Sequence, residues 1–281
     1  MAASGGLHIS ITAEPIFAIG GVTVTNSMFT TWIVTALLIW FSLKTYTHLT
    51  KVNFATKPTR FQSFVEMIVE SLYNLVKSIA GTHKKARIFL PMIATFFMFI
   101  LVSNWFGLLP GVGTIGFRHE EEAEHADEVA VIQEDDHEEV EETESHGAFV
   151  PYFRGPTADL NTTLALAIIS MMTVQIVGFQ FMGFAYPKKF FNFKSPIDFF
   201  IGILELLSDF SKVISFAFRL FGNIFAGEVL LAVIAFLLPI IAPLPFIGLE
   251  IFVGFVQALV FAMLSLVFMN MATIGHGEEE H

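Results

Sequence analysis

Residues 196–238 read PIDFFIGILELLSDFSKVISFAFRLFGNIFAGEVLLAVIAFLL, and no other part of the chain constrains its architecture as tightly. After Pro196 no proline and few glycines interrupt a helical pattern over these 43 residues. At 1.5 Å per residue such a helix extends about 64 Å, about twice the hydrocarbon thickness of a bilayer. A helix of that length must tilt steeply, or lie partly flat, within a membrane. A second long apolar segment, 246–273, follows the breaker Pro243, Leu244, Pro245. Two long slanted helices side by side make a poor anchor and suit wrapping a curved partner.

Upstream, the apolar runs 28–43, 88–109 and 160–184 each approach the roughly 20 residues of a bilayer crossing. Five such segments in 281 residues favour membrane helices over the buried helices of a large soluble protein. Composition agrees: 54% of residues are hydrophobic, 33 are Phe and mean hydropathy is +0.67. Charged residues make up 15% of the chain, against about 25% in soluble domains. The absence of cysteine excludes disulfides, thiolate metal sites and Cys nucleophiles. The start of the chain lacks the basic region of a signal peptide and is read as mature sequence.

The fold expected is an all-α integral membrane protein forming a single membrane domain over 1–281. Its crossings lie near 28–47, 88–109, 160–184, 197–238 and 246–273, the last two long and steeply tilted. An interfacial amphipathic helix is expected over 60–81, where Gln62, Glu66, Glu70, Asn74 and Lys77 recur at helical spacing. Thr59 followed by Gln62 resembles a capping box.

The net charge of −11 is a local effect: residues 118–146 hold 14 acids and one base, and the remainder carries +2. Bases cluster in the short loops instead, eight of them over 44–87 and Lys188, Lys189 and Lys194 in the loop 185–195. Both loops are therefore expected on the cytoplasmic side. The acidic segment and the N-terminus then lie outside and the C-terminus inside. The acidic segment, with His119, His125, His137 and His146, reads as a solvated charge run whose histidine spacing matches no standard metal site.

Ionisable groups inside apolar helices are costly and mark function. Around the 196–238 helix, Glu205, Ser208, Lys212, Ser215 and Asn223 all fall within about 40° of Arg219. They form one polar stripe from the cytoplasmic end to the middle of the helix. Glu228 falls on the opposite face, nearer the outer end. On the last helix Glu250 and Gln257 share a face, with Glu250 placed to meet Glu228. Two polar routes that do not join, with a permanent cation between them, describe a pair of half-channels. A packing salt bridge from Arg219 to Asp209 or Glu205 is the structural alternative.

These residues also carry a resemblance. SFAFRLFGNIFAGEVLL (215–231) closely resembles the signature of subunit a of the F-type ATP synthases, PTADLNTTLALA (156–167) a second family motif, and SNWFGLLPG (103–111) a looser third. The resemblance covers nearly the whole chain outside 118–146. It implies that Arg219 is the stator arginine, that Asn223, Glu228 and Gln257 belong to an outer half-channel, and that Glu205 and Ser208 belong to an inner one. Glu250 departs in part, standing where some relatives have a His. The resemblance further implies proton translocation against a rotor ring of c subunits, with peripheral-stalk b subunits, the other synthase subunits and the lipid bilayer as partners. Nucleic acid and cofactors are not expected. No G-x-x-x-x-G-K-[ST] motif occurs, so nucleotide chemistry is expected in another subunit. The runner-up, a proton-coupled secondary transporter or antiporter, would show repeated halves and broken helices, and no internal repeat is found. Ion choice is expected to lie mainly in the rotor protein, and the location is expected to be a bacterial plasma membrane.

Overall fold

The computed structural model describes residues 13–19, 22–51, 59–113, 115–118, 149–188, 190, 195–238 and 241–274. Among the described residues, five helices are long and apolar enough to cross a membrane: α1 (Asn26–Lys51), α3 (His83–Gly107), α4 (Leu160–Met182), α6 (Pro196–Leu237) and α7 (Pro243–Ala272). Between α1 and α3 lies the amphipathic α2 (Arg60–Ala80), and a single turn, α5 (Ala185–Lys188), follows α4. The chain is an all-α membrane protein. The acidic segment beyond Arg118, with its four histidines, lies outside the described residues, as do Lys57, Lys189 and Lys194.

Helix starts follow local chemistry. Asp159 caps α4 by accepting from the amide of Asn161, and Ser195 caps α6 by accepting from that of Ile197. Pro196 occupies the first turn of α6, where its missing N–H costs nothing. The same physics moves the start of α7. The pair Pro243 and Pro245 stands inside the first turn rather than ahead of the helix, because neither position has an i−4 carbonyl to bond. At α2 half of the expected capping box forms. Thr59 Oγ1 accepts from the amide of Gln62, but the Gln62 side chain donates forward to Glu66.

Two short antiparallel pairs add to the helices: β1 (Pro15–Ile19) with β2 (Val22–Thr25), and β3 (Gly116–Arg118) with β4 (Phe149–Pro151). They lie at one end of the bundle, with the start of α1, the ends of α3 and α6 and the starts of α4 and α7. The opposite end carries the lysine-rich segments.

α7 packs against α2, α3, α4 and α6. Between apolar helices in lipid, close approach of small residues replaces the hydrophobic effect as the cohesive term. Ala167, Ala217, Ala258 and Ala262 are accordingly fully buried at these contacts, beside Phe89, Ile93, Ile100, Leu220, Leu266 and Met269. A hydrogen bond between the hydroxyls of Ser170 and Ser265, at 2.7 Å, ties α4 to α7. α6 differs from its neighbours. Along its 42 residues only Gly202, Phe216, Ala217, Leu220 and Gly227 are buried, so most of its surface is left to lipid or to another protein.

Candidate functional site

Two polar regions flank α6. The first is the stripe. Ser208, Ser215, Arg219 and Asn223 are exposed, while Glu205 and Lys212 are half-buried. Arg219 Nη2 donates to Ser215 Oγ at 3.4 Å, and its carbonyl accepts from Asn223 Nδ2 at 3.0 Å. Its guanidinium forms no ion pair among the described residues. The carboxylate of Asp209 is engaged elsewhere, accepting from Lys212 Nζ at 2.7 Å and from Gln175 Nε2 at 2.9 Å. Tyr186 Oη donates to Gln175 Oε1 at 2.8 Å, and the Lys212 ammonium stands 4.8 Å from the centre of the Phe268 ring. Burial pushes the Tyr186 hydroxyl up to about 12, with the nearby carboxylates of Asp209 and Glu205 adding to the shift. It therefore stays a donor at neutral pH. A Cβ at Gly178 would overlap the Tyr186 ring, so glycine at that turn of α4 lets the tyrosine reach Gln175.

The second region is a cavity of about 760 Å³ at the end of the bundle that carries the strands. Glu228 of α6, Glu250 of α7, Glu14, Asn26, Asn104 and Arg154 all line it. Glu250 is only 8% exposed. Its carboxyl group lies directly on Gly227, where a Cβ would overlap it. The Glu228 side chain is 45% exposed, and its Oε1 is 3.6 Å from Nε of the buried Arg154.

Hydrogen bonds between distant segments build the cavity wall. Asn104 Nδ2 donates to the Gly254 carbonyl at 2.9 Å, and its Oδ1 accepts from Thr157 Oγ1 at 2.7 Å. Trp105 Nε1 donates to the Ile251 carbonyl at 3.1 Å. Ser27 Oγ donates to Asp159 Oδ2 at 2.7 Å, binding α1 to the cap of α4. Gly107 and Gly155 approach so closely that a Cβ on Gly107 would lie 3.3 Å from the Gly155 Cα. The sequence SNWFG of α3 and the sequence RGPTAD before α4 thus meet on the α7 backbone one turn beyond Glu250.

Of the residues singled out in the sequence, Glu228 and Glu250 are brought to one cavity. Asn223 and Gln257 do not line it; Gln257 is half-buried farther down α7. Glu205 and Ser208 lie in the first half of α6 and do not line the cavity. Arg154 and Glu14 are additions. Arg154 carried one legible signal: with Arg118 it is a base on the end of the bundle that otherwise lacks them. Glu14, in a short segment before a hairpin, carried none.

The family model described as ATP synthase A chain matches residues 28–270. Two similar proteins, each named ATP synthase subunit a, come from Geotalea uraniireducens (strain Rf4) and Geotalea daltonii (strain DSM 22248 / JCM 15807 / FRC-32). Each is 34% identical over 254 residues, covering 89% of this chain and 87% of the relative.

Proposed function

The chain belongs to the ATP synthase A chain family, and from that premise we propose that it carries protons between the two sides of a membrane and the rotor ring of a rotary ATP synthase. The observation that carries this reading is the arrangement around α6. Arg219 stands exposed on one face with no ion pair among the described residues, while a cavity lined by Glu14, Glu228 and Glu250 opens at the end of the opposite face. An intramembrane cation left without a partner is expensive, and a carboxylate arriving on a second protein removes that cost. The half-covered surface of α6 is where the ring of c subunits docks. Its 42 residues exceed a vertical crossing by about twofold, so the helix slants across the ring.

The mechanism is electrostatic. A protonated rotor carboxyl group reaches Arg219, whose positive charge favours the ionised form. The proton departs along the Glu205 and Ser208 side or along the cavity side, according to the direction of operation. Glu228 and Glu250 serve the outer half-channel. Arginine suits the barrier position because it stays charged and cannot relay the proton itself. Nucleotide chemistry belongs to other subunits, and the peripheral-stalk b subunits hold this one still. The lysine-rich loops face the cytoplasm of a bacterial cell, and the cavity opens outside.

The test is substitution of Arg219 in assembled complexes. Arg219→Lys keeps a charge but loses the planar fork, and coupled ATP synthesis should fall by about 100-fold or more, the scale of losing one preorganised electrostatic contact. Arg219→Ala should fall as far while its vesicles leak protons faster than those of the Lys variant. Normal coupled synthesis by assembled Arg219→Ala complexes overturns the reading.

A further inference from the structure

The cavity contains a fixed cation that the half-channel scheme does not use. We propose that Arg154 is a positioning residue for proton transfer in the outer cavity, its guanidinium fixing the Glu228 carboxyl group and balancing its charge whenever that group is ionised. The inference rests on the proton-carrying reading above.

Three observations converge. Arg154 is 7% exposed, yet it lies beside the half-open side chain of Glu228, with Nε 3.6 Å from Oε1. A buried guanidinium is costly unless it is paired, and the cavity that Arg154 lines is also lined by Glu14 from the N-terminal segment, Glu228 from α6 and Glu250 from α7. Asp159 at the α4 cap, five residues on from Arg154, is engaged elsewhere; its two oxygens accept from Ser27 and from Asn161 and Thr162.

The segment that carries Arg154 is anchored through its backbone and through its neighbours. The Arg154 amide donates to Thr30 Oγ1 at 3.4 Å, Gly155 packs on Gly107, and Thr157 bonds to Asn104. The guanidinium is thus carried on a firmly held backbone beside Glu228. Because arginine does not deprotonate, it acts on Glu228 through its field and by fixing geometry. A proton that leaves Glu228 then leaves behind an ion pair instead of an isolated carboxylate in a low-dielectric wall. Arg154 and Arg219 accordingly stand on opposite faces of α6, one at each end of the outer proton route.

The test is a double-substitution cycle in membrane vesicles holding the assembled complex, with coupled synthesis read per assembled complex. Arg154→Gln should slow synthesis by about tenfold, and Arg154→Lys, which keeps the cation but not the fork, by only about threefold. In a Glu228→Gln background, and in Glu228→Asp where the carboxyl group is withdrawn, both costs should shrink to less than about twofold. In a Glu250→Gln background they should persist. A structural role predicts equal costs in every background, and that result overturns the proposal. Unchanged rates in Arg154→Gln, or fewer complexes each working at the parental rate, overturn it too. Where Arg154→Gln does not assemble, the Lys series gives the same decision. Coupled synthesis surviving Arg219→Ala would strike the functional reading instead, whatever Arg154 does.

Discussion

Gly227 decides where the Glu250 carboxyl group sits, because any side chain there would occupy the same space. Gly227→Ala should therefore displace the acid and slow coupled synthesis by about tenfold in assembled complexes. Gly248→Ala, on α7 where a Cβ meets nothing, should stay at the parental rate. Equal rates in both variants would show that the position of Glu250 does not matter. Glu228 and Glu250 line one cavity, and on the proposed reading each offers a stopping place for a proton that the other can partly replace. Glu228→Gln or Glu250→Gln alone should slow synthesis, and the pair should slow it far more than the product of the single effects; three parental rates would place the outer route elsewhere. Arg219, Glu228 and Glu250 were legible because a charge in an apolar run stands out. Arg154 was much less so. Its partner lies 74 residues away in a different element, and no periodicity links a loop to a helix face.

At the scale of elements, Tyr186, Gln175, Asp209 and Lys212 join α5, α4 and α6 and rest on Phe268 of α7. Gln175→Leu leaves a buried hydroxyl and a carboxylate short of partners, a cost of about 1–3 kcal/mol, and the thermal stability of the purified complex should fall accordingly. Tyr186→Phe should cost less, and its pH dependence has a fixed sign. The folded-state value near 12 lies above the ordinary 10.0. The contribution of the protonated hydroxyl is thus fully present below about pH 10 and fades as pH rises towards 12. The difference in stability between parent and variant should stay constant from about pH 6 to 9; a change within that window would mean that another group sets it. Long apolar runs made the helices readable, since length and hydropathy are summed over many residues. The strands β1–β4 were not readable, because three to five residues are too few for a two-residue period to emerge. The choice of Gln62 between Thr59 and Glu66 was equally hidden, because both partners lie within its reach.

For the whole molecule the orientation proposed above makes a direct prediction. Lys84, exposed at the start of α3, and Ile115, exposed beyond its end, should lie on opposite sides of the membrane. In sealed cells, an impermeant thiol reagent should label Ile115→Cys and should reach Lys84→Cys only after permeabilisation. The reverse pattern would invert the topology. The grouping of the cavity wall, by contrast, was not legible from the sequence. It depends on Asn104, Thr157 and the Gly254 carbonyl meeting across three segments, and only the folded chain brings them together.

The sparse burial of α6 also has a mechanical consequence. On the function proposed above, a turning rotor would push sideways on its exposed face, and the helix could pass that load to the rest of the subunit only where it is gripped. Polar grips occur at Asp209, held by Gln175 and beside Lys212 on Phe268, and at Gly227 and Glu228, held against Glu250 and Arg154. These stand roughly 28 Å apart along the axis, with Arg219 about midway between them. The helix is thus supported like a beam near both ends of its loaded span, with the buried Phe216, Ala217 and Leu220 as a bearing behind the centre. Weakening either grip would then let the middle of the span deflect under torque and carry the arginine away from the rotor carboxylate proposed to pass it. A defect of that kind would grow with the driving force and vanish at rest.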